Sequence, residues 1–178
     1  SDEARSCSER YMGWTDLASN PPYSLRDIQD FADSIIAQGL KTVVLIGQGG
    51  STQAPMTITK YNKPDSSKIT FKTLDSDSPV RVRAILAEAK PETTLFVISS
   101  KSGGTIEPRL ALRAVRDAVA DRISEEELVQ HLVAITDPGS ELERQAREEG
   151  WAAVFSGEPT VGGRFSALSV FGLLPAAL

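Results

Sequence analysis

TVVLIGQGGST, residues 42–52, is the stretch that decides the fold. Its first five residues are continuously apolar or β-branched, a pattern typical of a strand buried on both faces of a parallel sheet. The glycine-rich turn that follows is typical of the connection from such a strand to a helix. We therefore predict an α/β fold with this segment as its first strand.

The same alternation recurs along the rest of the chain. We predict further strands at residues 69–74, 94–98, 132–136 and 152–155, and helices at 24–39, 79–89, 106–120, 140–149 and 166–177. In the helix at 106–120, Leu110, Ala114 and Ala118 are expected to face inward. Between 52 and 68, Pro55 and Pro64 interrupt the helical pattern, so only a short helix is expected there. Five strands alternating with helices predict an open, doubly wound, five-stranded parallel sheet of order 2-1-3-4-5 with helices on both faces.

Size and composition indicate one domain and exclude several classes of partner. The 178 residues fit one domain at 24–178, preceded by an N-terminal arm at 1–23. A net charge of −5 gives no broad basic surface, so neither nucleic acid nor an acidic membrane is expected as a partner. No apolar run approaches membrane-spanning length. The single Cys7 excludes an internal disulfide, has no His nearby for a metal site, and favours a cytoplasmic location.

Two glycine- and hydroxyl-rich loops are predicted to meet where the strand order reverses. They follow the first and third strands, at residues 47–52 and 99–105. Ligands bind at this edge of such sheets, and converging backbone N–H groups with hydroxyl donors suit a phosphate. A hydrogen bond to a charged oxygen contributes about 1.5–3 kcal/mol, against about 0.3–1 kcal/mol for a helix terminus. Ser100, Ser102 and Thr105 are therefore predicted to matter most, and Thr105 also fits the N-cap of the next helix.

A third segment, VGGRFS at residues 161–166, places a cation after the last strand. Arg164 offers a rigid, permanently charged fork suited to oxyanions and phosphates. No Asp or Glu follows it before Leu178, so an acid/base enzyme that uses this Arg needs a base from elsewhere.

Two nucleotide-binding motifs fit the loops less well. A dinucleotide site would use Asp75 at the end of the second strand, but Thr52 occupies the third Gly position of that fingerprint. Neither loop ends in the Gly-Lys-Ser/Thr of nucleotide hydrolases. Lys101 fits a phosphate-binding charge and a solvated loop residue equally well. His131 is expected to be a strand-end residue. Asp137 follows the fourth strand at the ligand-binding edge and could orient a ligand, but an ordinary turn is the preferred interpretation.

Glu107 and Glu158 lie near the loops. Neither is assigned as a catalytic base, because each equally suits a helix start or a solvated turn. Glu125, Glu126 and Glu127 are expected to form an exposed helix start, and Trp14 and Trp151 to be packing anchors.

Read together, IGQGGS at 46–51, SKSGGTIE at 100–107 and GGRFS at 162–166 followed by GLLP at 172–175 resemble the phosphoglucose isomerase family. The first two resemble sugar isomerase (SIS) domains generally, and the third is specific to the glucose-6-phosphate enzyme. The resemblance covers residues 42–178. The Gly103-Gly104 pair departs from the bulkier, Thr-containing loop of many family members.

The resemblance implies interconversion of glucose 6-phosphate and fructose 6-phosphate through a cis-enediolate, a step of glycolysis and gluconeogenesis, without metal or organic cofactor. Ser100, Ser102 and Thr105, with the Lys101 backbone, look like the phosphate loop. Gly50 and Ser51 look like the neighbouring sugar contact. Arg164 looks like the cation that stabilises the enediolate, a role that needs a preorganised charge in a desolvated site.

The resemblance also implies that the rest of the catalytic apparatus comes from beyond Leu178. In the family, the Glu base, a ring-opening His and a further Lys follow the Gly-Gly-Arg motif, with the His reaching across a dimer interface. We therefore expect this chain to be the N-terminal domain of a longer two-domain enzyme that pairs with a C-terminal half and forms a homodimer. Alone it should be nearly inactive. A sugar-phosphate-sensing module and an isomerase of another phosphosugar remain as alternatives.

Overall fold

The computed structural model describes residues 1–61 and 69–178, and the predicted sheet is present in it. Its five strands are all parallel and follow the order 2-1-3-4-5. The predicted fold class is therefore confirmed. The strands are β1 (Thr42–Gly47), β2 (Thr70–Leu74), β3 (Thr94–Ser99), β4 (Leu132–Thr136) and β5 (Ala153–Ser156).

Helices connect the strands and begin where the sequence supplies caps. Ser24 and Ser140 accept hydrogen bonds from the backbone N–H groups of Asp27 and Glu143, which fixes two helix starts. The described helices are α1 (Asp2–Tyr11), α2 (Leu25–Ala37), α3 (Gly50–Tyr61), α4 (Pro79–Glu88), α5 (Ile106–Val119), α6 (Glu125–Leu128), α7 (Glu141–Glu148) and α8 (Val170–Ala177). None of them is long and apolar enough to cross a membrane.

The sheet is buried on both faces, which explains its continuously apolar strands. On one face, Val44, Phe96 and Ala134 belong to a cluster that includes residues of α5 and α7. On the other, Val43 and Val97 pack with residues of α2 and α8. Successive side chains of a strand point to opposite faces, so each strand supplies both clusters.

The buried face of α5 differs from the prediction. Leu110 was expected to face inward but is 55% exposed, and Ala118 is exposed as well. The helix instead buries Pro108, Ala111, Leu112, Val115 and Val119. The predicted stripe lines an open groove of about 810 Å³ between α4 and α5. The helix carries two neighbouring apolar stripes, and the one that packs on the sheet contains Ala111, Val115 and Val119.

Helix α3 is longer than expected, although Pro55 lies inside it. Proline has no N–H to donate to the Ser51 carbonyl one turn earlier. The Ser99 hydroxyl donates to that carbonyl instead, at 3.4 Å. Residues 62–68, the remainder of the uncertain segment with Pro64, lie outside the described residues.

The C-terminal helix also begins later than predicted. A 3-10 turn covers Gly163–Leu168, and α8 starts only at Val170, where the Ser169 hydroxyl accepts from the Phe171 N–H. The predicted helix at 166–177 is therefore two shorter elements.

Candidate functional site

The loops after β1 and β3 meet at one edge of the sheet, as predicted. In the register of these strands Gly47 lies opposite Ser99, so both loops leave the sheet at the same level. Between them is a cavity of about 410 Å³. Its lining includes Gly50 and Ser51 from the first loop, and Ser100, Lys101, Ser102 and Thr105 from the second. Six of the seven predicted site residues thus share one cavity.

The three predicted hydroxyls converge on one another. Thr105 Oγ1 lies 3.3 Å from Ser100 Oγ and 3.4 Å from Ser102 Oγ. Thr105 stands at the N-cap position of α5, but its hydroxyl caps no backbone N–H of the helix. The hydroxyl therefore belongs to the cavity rather than to the helix end, which corrects the capping role predicted for it.

Backbone donors surround the same cavity. The N–H group of Gly50, the first residue of α3, forms no hydrogen bond with a described residue. The same holds for the N–H groups of Lys101 and Ser102. Amides left free at a helix start and in a tight loop, together with three hydroxyls, form a donor-rich surface suited to an anion.

Gly103 gives the second loop its turn. Its φ is +67°, and a Cβ at this position would lie 2.7 Å from the Ser140 Cβ. The loop therefore turns tightly against the start of α7, with no room for a side chain at residue 103. Gly104 has no neighbouring atom within 4 Å of a Cβ built on it.

Arg164 lies in the adjacent cavity, not among the hydroxyls. That cavity, of about 430 Å³, is bordered by α3 and by the 3-10 turn that carries Arg164. Both cavities are lined by Gly50 and Gly163, so they adjoin at these two residues. The Arg164 side chain is exposed and forms no hydrogen bond or ion pair with the residues that the structure describes. Its charge is available to a ligand.

The segment that carries Arg164 packs closely on the start of α3. A Cβ on Gly50 would lie 2.1 Å from the Gly163 carbonyl oxygen, so only glycine allows this approach. The Ser166 hydroxyl donates to the Gly163 carbonyl at 2.8 Å and reaches the Gly50 carbonyl at 3.5 Å. These contacts fix the backbone next to Arg164 relative to the first loop.

Sequence reasoning did not predict the contacts made by the N-terminal segment, residues 1–23. Met12 forms an antiparallel bridge with Val161, and the Gly13 N–H donates to the Thr160 carbonyl at 3.3 Å. Trp14 stacks on Phe165. The segment therefore contacts the stretch that carries Arg164. An isolated Trp in a polar stretch signals an anchor but not its partner. The assignment of residues 1–23 as a separate arm stays a prediction.

Most of the remaining candidates make structural contacts, and Asp137, which lies in the expected turn, also lines the cavity between the two loops. His131 Nδ1 lies 3.0 Å from the Thr94 carbonyl oxygen, at the entry of β4 and away from the cavity. Trp151 is buried as a packing anchor. Asp75 pairs with Arg81 at 3.5 Å. The Glu158 carboxylate accepts hydrogen bonds from the N–H and hydroxyl of Thr160.

The open doubly wound sheet of order 2-1-3-4-5, with helices on both faces, defines an α/β domain of the sugar isomerase type. The family model described as phosphoglucose isomerase matches residues 29–178. The chain belongs to the phosphoglucose isomerase family.

Known relatives support this assignment and are much longer. A glucose-6-phosphate isomerase from Nostoc sp. is 33% identical to this chain, covering 99% of it and 36% of the relative. A hypothetical protein from Thermus thermophilus superimposes with a TM-score of 0.82 at 34% identity, covering 93% of this chain and 38% of that protein. A glucose-6-phosphate isomerase from Chlamydia trachomatis superimposes with a TM-score of 0.74 at 30% identity. The match covers 83% of this chain and 28% of that protein. The chain spans between 25% and 36% of the length of the curated relatives it matches.

Proposed function

We propose that this chain is the phosphosugar-binding domain of a glucose-6-phosphate isomerase. In this proposal the cavity between the β1 and β3 loops holds the phosphate of glucose 6-phosphate or fructose 6-phosphate. The whole enzyme interconverts the two sugars through a cis-enediolate, requires no cofactor and works in the cytoplasm as a homodimer. The single Cys7 and the family membership favour that location.

The observation that carries the proposal is the convergence of Ser100, Ser102 and Thr105 at the switch point, beside backbone amides that donate to no described residue. Phosphate presents several charged oxygens that each accept hydrogen bonds, and each bond to such an oxygen contributes about 1.5–3 kcal/mol. Gly50 and Ser51, on the opposite wall, are positioned to contact the sugar next to the phosphate.

Arg164 supplies the electrophile in this proposal. A cation without a partner among the described residues, in the cavity next to the phosphate site, stabilises the negative charge that develops on the sugar oxygen as the enediolate forms. The phosphate fixes one end of the substrate, and the adjoining cavity receives the other. Binding energy at the phosphate thereby holds the reacting carbons near Arg164.

The base that moves the proton between the two carbons comes from outside this chain. Asp137 is the one carboxylate among the described residues that line the two cavities, and it is paired with Lys101. A paired carboxylate is a poor general base. We therefore propose that the proton-transferring residues belong to the longer protein, in which this chain is one domain.

Calorimetric titration with 6-phosphogluconate tests the proposal, because this ligand carries the phosphate and a carboxylate that mimics the enediolate. We expect the wild-type chain to bind it and Ser102→Ala to bind about 10- to 100-fold more weakly, the loss of one charged hydrogen bond. Ser78→Ala removes an exposed hydroxyl that lines neither cavity and should leave binding unchanged. Thermal stabilisation by NAD but not by 6-phosphogluconate would refute the proposal.

A coupled isomerase assay on the same chain tests where the base lies. We expect negligible turnover of fructose 6-phosphate, even at concentrations that saturate binding. Turnover at the rate of a complete isomerase would place the base within these residues and contradict that part of the proposal.

A further inference from the structure

Lys101 lies between Ser100 and Ser102, where a cation would ordinarily be assigned to the phosphate. Its ammonium group is already occupied. Nζ pairs with the Asp137 carboxylate and lies 3.3 Å from the Glu158 carbonyl oxygen and 3.4 Å from the Pro159 carbonyl oxygen. A lysine ammonium has three N–H donors, and these three acceptors use all of them. In this arrangement no donor remains for a phosphate oxygen.

The three acceptors come from two neighbouring loops. Asp137 follows β4, and Glu158 and Pro159 follow β5 on the path to Arg164. Main-chain bonds reinforce the first connection, because the Asp137 N–H donates to the Lys101 carbonyl at 3.0 Å. Lys101 therefore ties the hydroxyl-bearing loop to the segment that leads to Arg164.

Asp137 lines the same cavity as the hydroxyls, and its Oδ1 atom is buried without a hydrogen-bond partner among the described residues. A carboxylate beside a phosphate site repels the ligand unless its charge is compensated. Lys101 supplies that compensation.

We infer that Lys101 and Asp137 act as a positioning pair for the phosphate site: the Lys101 ammonium group neutralises Asp137 and does not itself bind the phosphate. The inference rests on the proposed function for its ligand. It differs from both sequence interpretations of Lys101, the phosphate-binding charge and the solvated residue.

A double-mutant cycle with 6-phosphogluconate and inorganic phosphate separates a positioning pair from a direct ligand. Lys101→Met leaves the Asp137 charge uncompensated and should weaken binding of both ligands at least about tenfold. In the double variant Lys101→Met/Asp137→Asn the repelling charge is gone, so affinity should return to within about threefold of wild type. A direct ligand predicts the opposite: the double variant would stay about tenfold weaker or more.

The double variant decides the question even if Lys101→Met fails to fold. Binding within about threefold of wild type supports the positioning pair, and a loss of tenfold or more overturns it. Lys72→Met/Glu88→Gln is the matched control, since this Lys–Glu pair joins β2 to α4 and lines neither cavity. It should leave both affinities unchanged.

Trace acetylation of lysines, measured by peptide mass spectrometry, tests the pair without any ligand. In the wild-type chain the Lys101 amine should react more slowly than in Asp137→Asn. Equal reaction rates would overturn the inference. If the wild-type chain binds neither 6-phosphogluconate nor phosphate, the proposed function fails, while the acetylation result still decides whether Lys101 is held by Asp137.

Discussion

Trp14 stacks on Phe165, with ring centroids 4.8 Å apart and ring planes inclined by 16°. Phe165 directly follows Arg164, so the N-terminal segment packs against the stretch that carries the proposed electrophile. Both rings remain partly exposed, at 38% for Trp14 and 44% for Phe165. The stack therefore adds little buried area to the core, and its main effect is to fix the position of the stretch that carries Arg164.

Trp14→Ala should weaken 6-phosphogluconate binding and spare inorganic phosphate. An aromatic pair contributes about 0.5–1.5 kcal/mol beyond its buried area, which corresponds to about 2- to 10-fold in affinity. In the proposed binding mode only 6-phosphogluconate extends from the hydroxyls toward Arg164, so only this ligand should respond. Calorimetric titration of both ligands measures the difference.

Two variants control this experiment. Trp14→Phe keeps a ring against Phe165 and should retain most of the affinity. Phe31→Ala removes a different aromatic pair, Phe31 with Phe155 at 5.2 Å, and should lower the melting temperature without changing the ratio of the two affinities. An equal loss for both ligands in Trp14→Ala would show that the stack supports the whole domain instead.

Gly103→Ala should destabilise the protein and weaken phosphate binding. The substitution forces a side chain into φ = +67° and against Ser140, whose hydroxyl caps α7. Such strain costs about 1–3 kcal/mol, or about 3–10 °C in melting temperature for a chain of this size. Gly104→Ala meets open space at an ordinary φ and should stay within about 2 °C. Similar shifts in the two variants, measured by thermal unfolding, would contradict the role assigned to Gly103.

The sheet and the meeting of the two glycine-rich loops could be predicted because both depend on local patterns. The segment at β1 is continuously apolar since both of its faces are covered, and that pattern survives in the sequence alone. Parallel pairing then brings Gly47 level with Ser99, so the loops that follow must meet. For this reason the sequence could predict that Ser100 and Ser102 line the cavity between the loops.

Features that depend on distant partners could not be predicted. Helix α5 carries two apolar stripes with the same spacing of four residues, and only packing on the sheet selects Ala111 and Val115 over Leu110 and Ala114. Pro55 is tolerated because Ser99, far along the chain, satisfies the Ser51 carbonyl. Likewise, the sequence around Lys101 does not indicate that its ammonium group pairs with the Asp137 carboxylate.

The carboxylate of Glu149 should stabilise the fold in a pH-dependent way. Burial by itself would raise its pKa, but hydrogen bonds from Trp151, Gln145 and Arg116 outweigh burial and lower the pKa below its usual value. A carboxyl group whose pKa is lowered by folding contributes stability above its unfolded pKa of about 4.3 and loses that contribution as the pH falls through the folded pKa.

Glu149→Gln should therefore lower the melting temperature by about 3 °C at neutral pH, because charged hydrogen bonds are lost. The difference from wild type should shrink as the pH falls below about 4, where the wild-type carboxyl is itself neutralised. Glu148→Gln removes an exposed pair with Arg144 on the same helix and should change little at any pH. Thermal unfolding from pH 7 to pH 3 measures both variants. A constant difference across that range would mean that Glu149 acts through packing and not through its charge.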